Sequence, residues 1–88
     1  MKTIIKGSFV RDAKKLSKDS QLKLRAILLE IESADNLSQI ANLKKMTGYK
    51  NAYRIRMGDY RIGFYVDSDT LIISRILHRK EIYDYFPD

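Results

Sequence analysis

The polar and apolar positions change period along this chain, and the changes mark its elements. Lys2 to Lys6 reads as a short strand, and Gly7-Ser8 offers a turn and an N-cap for a helical turn pair in which Phe9, Ala13 and Leu16 share one face. Ser17 and Asp19 mark a second helix start. From Ser20 to Ala34, Leu24, Ile27, Leu28, Ile31 and Ala34 follow the 3.6-residue period, and Leu22, Ala26 and Leu29 widen the apolar stripe. Asp35-Asn36 punctuates this main core helix, and Leu37 to Leu43 suits one or two further helical turns before Gly48 opens a loop.

At Tyr53 the period becomes two. Tyr53, Ile55 and Met57 alternate with Arg54 and Arg56, and Gly58-Asp59 suits the two-residue loop of a type II′ hairpin, where glycine takes the first loop position. That loop sets the register: Met57 opposes Tyr60, Arg56 opposes Arg61, Ile55 opposes Ile62, Arg54 opposes Gly63 and Tyr53 opposes Phe64. One face is then apolar, and the other carries Arg54, Arg56, Arg61 and Gly63. A second hairpin through Asp67-Ser68-Asp69-Thr70 pairs Val66 with Leu71. Unbroken alternation from there puts Leu71, Ile73 and Leu77 on the apolar face, with Ile72, Ser74, Ile76 and His78 beside the arginines. Arg75 falls on the core side, which requires that it snorkel to an edge or sit beside a bulge. The fold class expected is α+β: one domain over residues 1–88, with an N-terminal strand, two helices and a three- to four-stranded antiparallel sheet carrying the helices on one face.

Composition sharpens this picture. Without cysteine there is no disulfide framework and no thiolate metal site, and one histidine does not assemble a zinc centre, so no metal or other cofactor is expected. No apolar run approaches the roughly 20 residues of a membrane span, and Met1 to Lys6 lacks the apolar region of a signal peptide, so the expected location is the cytoplasm, with no membrane partner. The 17 Lys and Arg exceed the 11 Asp and Glu by six. Residues 44–80 hold nine basic and three acidic side chains, which equals the whole net charge, and from 54 to 79 every basic residue is arginine, whose planar fork suits phosphate. Arg56 directly opposite Arg61 is a repulsive cross-strand pair that an anion would relieve.

Arginines with aromatic residues around them (Tyr49, Tyr65, Tyr83, Tyr85) form the general pattern for single-stranded RNA, in which guanidinium groups hold phosphates and rings stack on bases. RNA needs no metal for cleavage, because its own 2′-hydroxyl attacks the adjacent phosphorus. The protein has to align that oxygen, stabilise the added negative charge and protonate the leaving 5′-oxygen. Arginines serve the second task. His78, the side chain with an ordinary pKa near neutrality, is the candidate for the third. No carboxylate sits inside the cluster as a base, and no glycine-rich phosphate loop, serine triad or carboxylate pair is visible.

The order strand, two helices, then Tyr53-Arg54-Ile55-Arg56-Met57-Gly58-Asp59-Tyr60-Arg61-Ile62 and Ile76-Leu77-His78-Arg79-Lys80-Glu81-Ile82-Tyr83 resembles the RelE/ParE superfamily of bacterial type II toxins over nearly the whole chain. RelE-like members are ribosome-dependent mRNA interferases that leave a 2′,3′-cyclic phosphate, and ParE-like members poison DNA gyrase. The RelE-like resemblance implies catalytic roles for Arg56, Arg61, His78 and Arg79, with RNA binding by Arg54, Lys45 and Tyr83. Within it, Arg61 stabilises the pentavalent phosphate, Arg79 acts as acid or charge stabiliser, His78 matches a histidine that is the general acid in some relatives, and Tyr83 stacks on or orients substrate. Arg54 and Arg56 stand where RelE itself has lysines, one of them proposed as general base, so base catalysis from Arg56 is not carried over. The implied partners are the ribosome with mRNA and a cognate antitoxin, with DNA contacted only through the antitoxin.

Overall fold

A computed structural model describes residues 1–87; Asp88, the last acid of the tail, lies outside the described residues. In chain order the elements are β1 (Lys2–Ile5), α1 (Gly7–Lys14), α2 (Lys18–Ser33), a 3₁₀ turn (Leu37–Gln39), β2 (Leu43–Lys45), β3 (Ala52–Met57), β4 (Tyr60–Asp67), β5 (Thr70–His78) and α3 (Ile82–Tyr85). One five-stranded sheet runs β1-β5-β4-β3-β2. It is mixed, because β1 joins β5 in parallel while the other neighbours are antiparallel. This corrects the expected three- to four-stranded antiparallel sheet. The N-terminal strand is part of the sheet, and Leu43–Lys45, expected at the end of helical turns, is a further edge strand. Three residues are too few to display a period, so only pairing with β3 distinguishes them from a turn.

Ser17 caps α2 by accepting a hydrogen bond from the Ser20 N–H at 3.2 Å. Leu24 and Ile31 of that helix are buried with Phe9 and Leu16 against the sheet residues Ile55, Ile62, Phe64, Leu71, Ile73 and Ile76. The helical stripe is narrower than the sequence suggests. Leu22 is 66% exposed and Leu29 58%, because these positions turn beyond the arc that the sheet covers.

The first hairpin has the expected register at all five pairs, with Gly58 at φ +59° in its loop. The second closes as expected with Val66 opposite Leu71. Between them β5 departs from simple alternation. Phe64 opposes Ile73 but Gly63 opposes Arg75, so Ser74 is the extra residue of a β-bulge. Beyond the bulge every side chain changes face: Ile76 pairs with Ile62 and is buried, Leu77 pairs with Arg61, and His78 pairs with Tyr60.

The edge of the sheet explains the bulge. β1 pairs with β5 only as far as Ile73, which leaves the outer edge of the next residues without a strand. Helix α1 covers it with side chains. Ser8 Oγ donates to the Ser74 carbonyl at 2.6 Å, and the buried Asp12 carboxylate accepts from the Ile76 N–H at 3.1 Å and from Arg75 Nε at 2.7 Å and Nη2 at 3.1 Å. Backbone groups that would otherwise be buried without partners are thereby satisfied, and Arg75 is turned to the edge.

On the face away from α1 and α2, a second small core gathers Met46, Ala52, Ile82 and Phe86, with Tyr65 and Leu77 against it. Phe86 lies over Gly63, where an added Cβ would stand 2.6 Å from the ring. The C-terminal segment, whose sequence carries no sustained period, therefore packs on the same sheet face as the arginines.

Candidate nucleic-acid interface

The hairpin β3–β4 places Arg56 and Arg61 directly opposite each other, with Arg54 two residues back on the same face of β3. Arg79 follows β5 immediately, and its N–H donates to the Asp59 carbonyl at 2.7 Å, which ties it to the Gly58-Asp59 loop. Helix α3 brings Tyr83 to the same region with 56% of its surface exposed. Arg61 stands at the electrostatic centre. Partial desolvation lowers its pKa from the ordinary arginine value, repulsion from Arg54 adds to this, Tyr83 opposes it, and Arg56 and Arg79 lower it further.

The Arg61 guanidinium is positioned by its own turn. Its Nη1 donates to the carbonyls of Gly58 at 2.8 Å and Tyr60 at 2.9 Å, which leaves the rest of the fork for a ligand. Asp59 is the nearby acid, yet its carboxylate lies 3.9 Å from Arg79 Nε with both side chains more than half exposed. An exposed pair at that distance offsets little of the surplus positive charge. Four arginines converging on one sheet face form a site for an anion with several oxygens.

Of the residues expected at the site, the structure brings together Arg54, Arg56, Arg61, Arg79 and Tyr83. Lys45 stands opposite Tyr53 in the register, whereas its neighbour Lys44 stands opposite Arg54 on the arginine face. Both line a cleft of about 320 Å³ next to the cluster, together with Met46, Thr47, Tyr49, Arg54, Tyr83, Phe86 and Pro87. Nothing in the sequence singles out Thr47, Phe86 and Pro87, because a loop and a tail carry no period from which to read a face.

His78 is the correction. The bulge at Ser74 moves it from the expected arginine face to the face that carries the helices. There its ring meets Tyr60 edge-on with centroids 5.9 Å apart, and it borders a separate cleft with Asp12, Lys15, Leu16 and Glu81. Its Nδ1 accepts from the Lys80 N–H at 3.1 Å, a local contact that holds the turn after β5. Among the described residues no three His, Asp or Glu side chains gather as a metal would require, and no helix is long and apolar enough to cross a membrane.

Comparison with known proteins agrees with this architecture. The family model for the ParE toxin of the type II toxin-antitoxin system parDE matches residues 4–83. Toxin RelE3 of Methanocaldococcus jannaschii is 43% identical over 88 residues, covering 99% of this chain and 100% of that protein. The toxin of the RelB-RelE antitoxin-toxin complex from Methanococcus jannaschii superposes with a TM-score of 0.82 at 42% identity, over 96% of this chain and 99% of that one. An archaeal RelE-RelB complex from Pyrococcus horikoshii OT3 shares the fold at a TM-score of 0.72 and 21% identity, over 89% and 93% of the two chains. With its hairpin of opposed arginines and these full-length matches, the chain belongs to the RelE/ParE family of type II toxin-antitoxin toxins.

Proposed function

We propose that this toxin is a metal-independent endoribonuclease that cuts mRNA on the ribosome by attack of a 2′-hydroxyl on the adjacent phosphate. The observation that carries the proposal is the opposition of Arg56 and Arg61 across the hairpin, with Arg54 two residues back on the same face, Arg79 tied to the hairpin loop and an exposed Tyr83 beside them. As the 2′-oxygen attacks, the phosphorus gains a fifth oxygen and negative charge accumulates on its equatorial oxygens. Preformed cations, with the half-buried Arg61 among them, stabilise that charge more than they stabilise the ground state. Arg56 and Arg61 hold the phosphate from opposite strands, Arg54 and Lys45 bind the flanking RNA, and Arg79 neutralises the departing side. The 2′-hydroxyl proton passes to water as the P–O5′ bond breaks, and the exposed Tyr83 hydroxyl gives its proton to the departing 5′-oxygen and is reprotonated from solvent. His78, on the helix-bearing face, takes no part in this scheme.

Purified protein added to cell-free translation should produce new mRNA 3′ ends with cyclic phosphate within ribosome-bound messages. Intact messages would refute the proposal. A second reading, inhibition of DNA gyrase by protein binding, is favoured by the description of the matching family model as ParE toxin. It predicts inhibited supercoiling with every message whole.

The matched archaeal toxins are in complexes with RelB. By that likeness this toxin acts in the cytoplasm and is held by a cognate antitoxin of its own, through which alone it reaches operator DNA. An acidic antitoxin segment complements the arginine face.

A further inference from the structure

The cleft beside the arginines contains groups that the cleavage scheme leaves unused. Its walls include Tyr49, Thr47, Met46, Phe86 and Pro87, and Lys44, Lys45 and Arg54 stand around them. Met46 and Phe86 are buried parts of the small second core, so that side of the cleft is rigid and apolar. Tyr49 is different. A hydrogen-bonded turn, with Gly48 at φ +85° and the Tyr49 N–H on the Met46 carbonyl at 3.3 Å, holds it 48% exposed. The turn is anchored at both ends, through the Met46 N–H to the Ala52 carbonyl at 2.8 Å and the Val66 N–H to the Asn51 carbonyl at 3.0 Å. The ring stands half in water on a braced turn and lines the same cleft as Tyr83 and Arg54, where a planar ligand can lie against it.

We infer that this cleft is a nucleobase pocket, in which Tyr49 stacks on one unpaired base of the RNA and Thr47 contributes to choosing which base is accepted. The inference rests on the ribonuclease reading above and extends it to nucleotide selection. About 320 Å³ admits one base with its sugar and excludes a folded element. The cleft shares Arg54 with the phosphate cluster, and Arg54 and Arg56 are separated by about 7 Å along β3, a spacing that suits successive phosphates of an extended strand. Stacking alone accepts any base, since each has a π face. The Thr47 hydroxyl, both donor and acceptor, can discriminate between base edges.

The test is cell-free translation of a message library, with 3′ ends mapped for the wild type, Tyr49→Ala, Tyr49→Phe, Thr47→Val and Arg61→Ala. The pocket predicts a nucleotide preference at one position next to the cut. Tyr49→Ala should slow cleavage about 5- to 150-fold, the span of one lost stacked base, and Tyr49→Phe, which keeps the ring, should restore the rate. Thr47→Val should shift the preferred nucleotide. If Tyr49→Ala cuts at wild-type rates and Thr47→Val keeps the wild-type site preference, while Arg61→Ala is slowed about 10²-fold or more, the pocket is refuted and the ribonuclease reading stands. If the wild type cuts no message, both fall.

Discussion

Arg61→Ala separates function from stability, because the structure predicts a large loss of the first and a small change in the second. In the folded state Arg61 faces Arg56 across the hairpin with Arg54 and Arg79 close enough to lower its pKa. A like-charge pair directly across two strands costs roughly 0.2–1 kcal/mol, and removing one member recovers it. Against this gain stand the hydrogen bonds from Arg61 to the carbonyls of Gly58 and Tyr60, in an exposed turn where water replaces the donor. At about 0.5–1 kcal/mol each, the two together equal or exceed the relief. The net change in unfolding free energy is a loss of no more than about 2 kcal/mol. Cleavage should fall about 10²- to 10³-fold, the usual cost of one donor to developing negative charge, equivalent to about 2.7–4 kcal/mol in the transition state. Urea denaturation gives the first quantity and end mapping in cell-free translation the second. Raising salt from 0.05 to 0.5 M should stabilise the wild type more than the variant, because in the wild type screening also weakens the Arg61 repulsions that the variant lacks. A loss of more than about 3 kcal/mol in stability, or a cleavage rate within threefold of wild type, would refute the reasoning.

Three further outcomes follow from particular contacts. Gly63→Ala should lose about 1–3 kcal/mol in urea denaturation, since its Cβ would lie 2.6 Å from the Phe86 ring and the C-terminal segment would have to move. Asp12→Ala removes an acceptor of Arg75 and the acceptor of the Ile76 N–H, and should lose about 2–4 kcal/mol, at the lower end of the range for a broken buried pair because Arg75 keeps some access to water and its place over the Tyr85 ring. His78→Gln should leave cleavage within about threefold of wild type; a loss of 10²-fold with unchanged stability would return His78 to the chemistry.

The two hairpins differ in how much of their geometry was legible. A two-residue loop containing Gly58 admits one register, so the opposition of Arg56 and Arg61 could be read from spacing alone, and the arginine cluster with it. The same counting failed along β5, because one unpaired residue inverts every later side chain and no local motif announced it. Ser74 gives no glycine signal. What selects the bulge is the end of β1 at Ile73 and the carboxylate of Asp12, 62 positions upstream of Ser74, bound to Arg75 and the Ile76 N–H. Arg75 was the visible clue, as an arginine that alternation would have buried.

By itself the amino-acid sequence determined the elements whose period is sustained, the hairpin register, the sheet face on which Arg54, Arg56 and Arg61 lie, and the exclusion of disulfide and thiolate-metal chemistry. Each of these follows from local geometry: side chains on a strand alternate, a tight turn admits few registers, and a missing residue type supplies no ligand. Only the tertiary structure decided the parallel pairing of β1, the strand at Leu43–Lys45, the face of His78, and the cleft that joins Tyr49 and Thr47 to the C-terminal segment. Those features depend on which distant groups satisfy a sheet edge and which ring fills the space over Gly63, and such contacts leave no period in the chain.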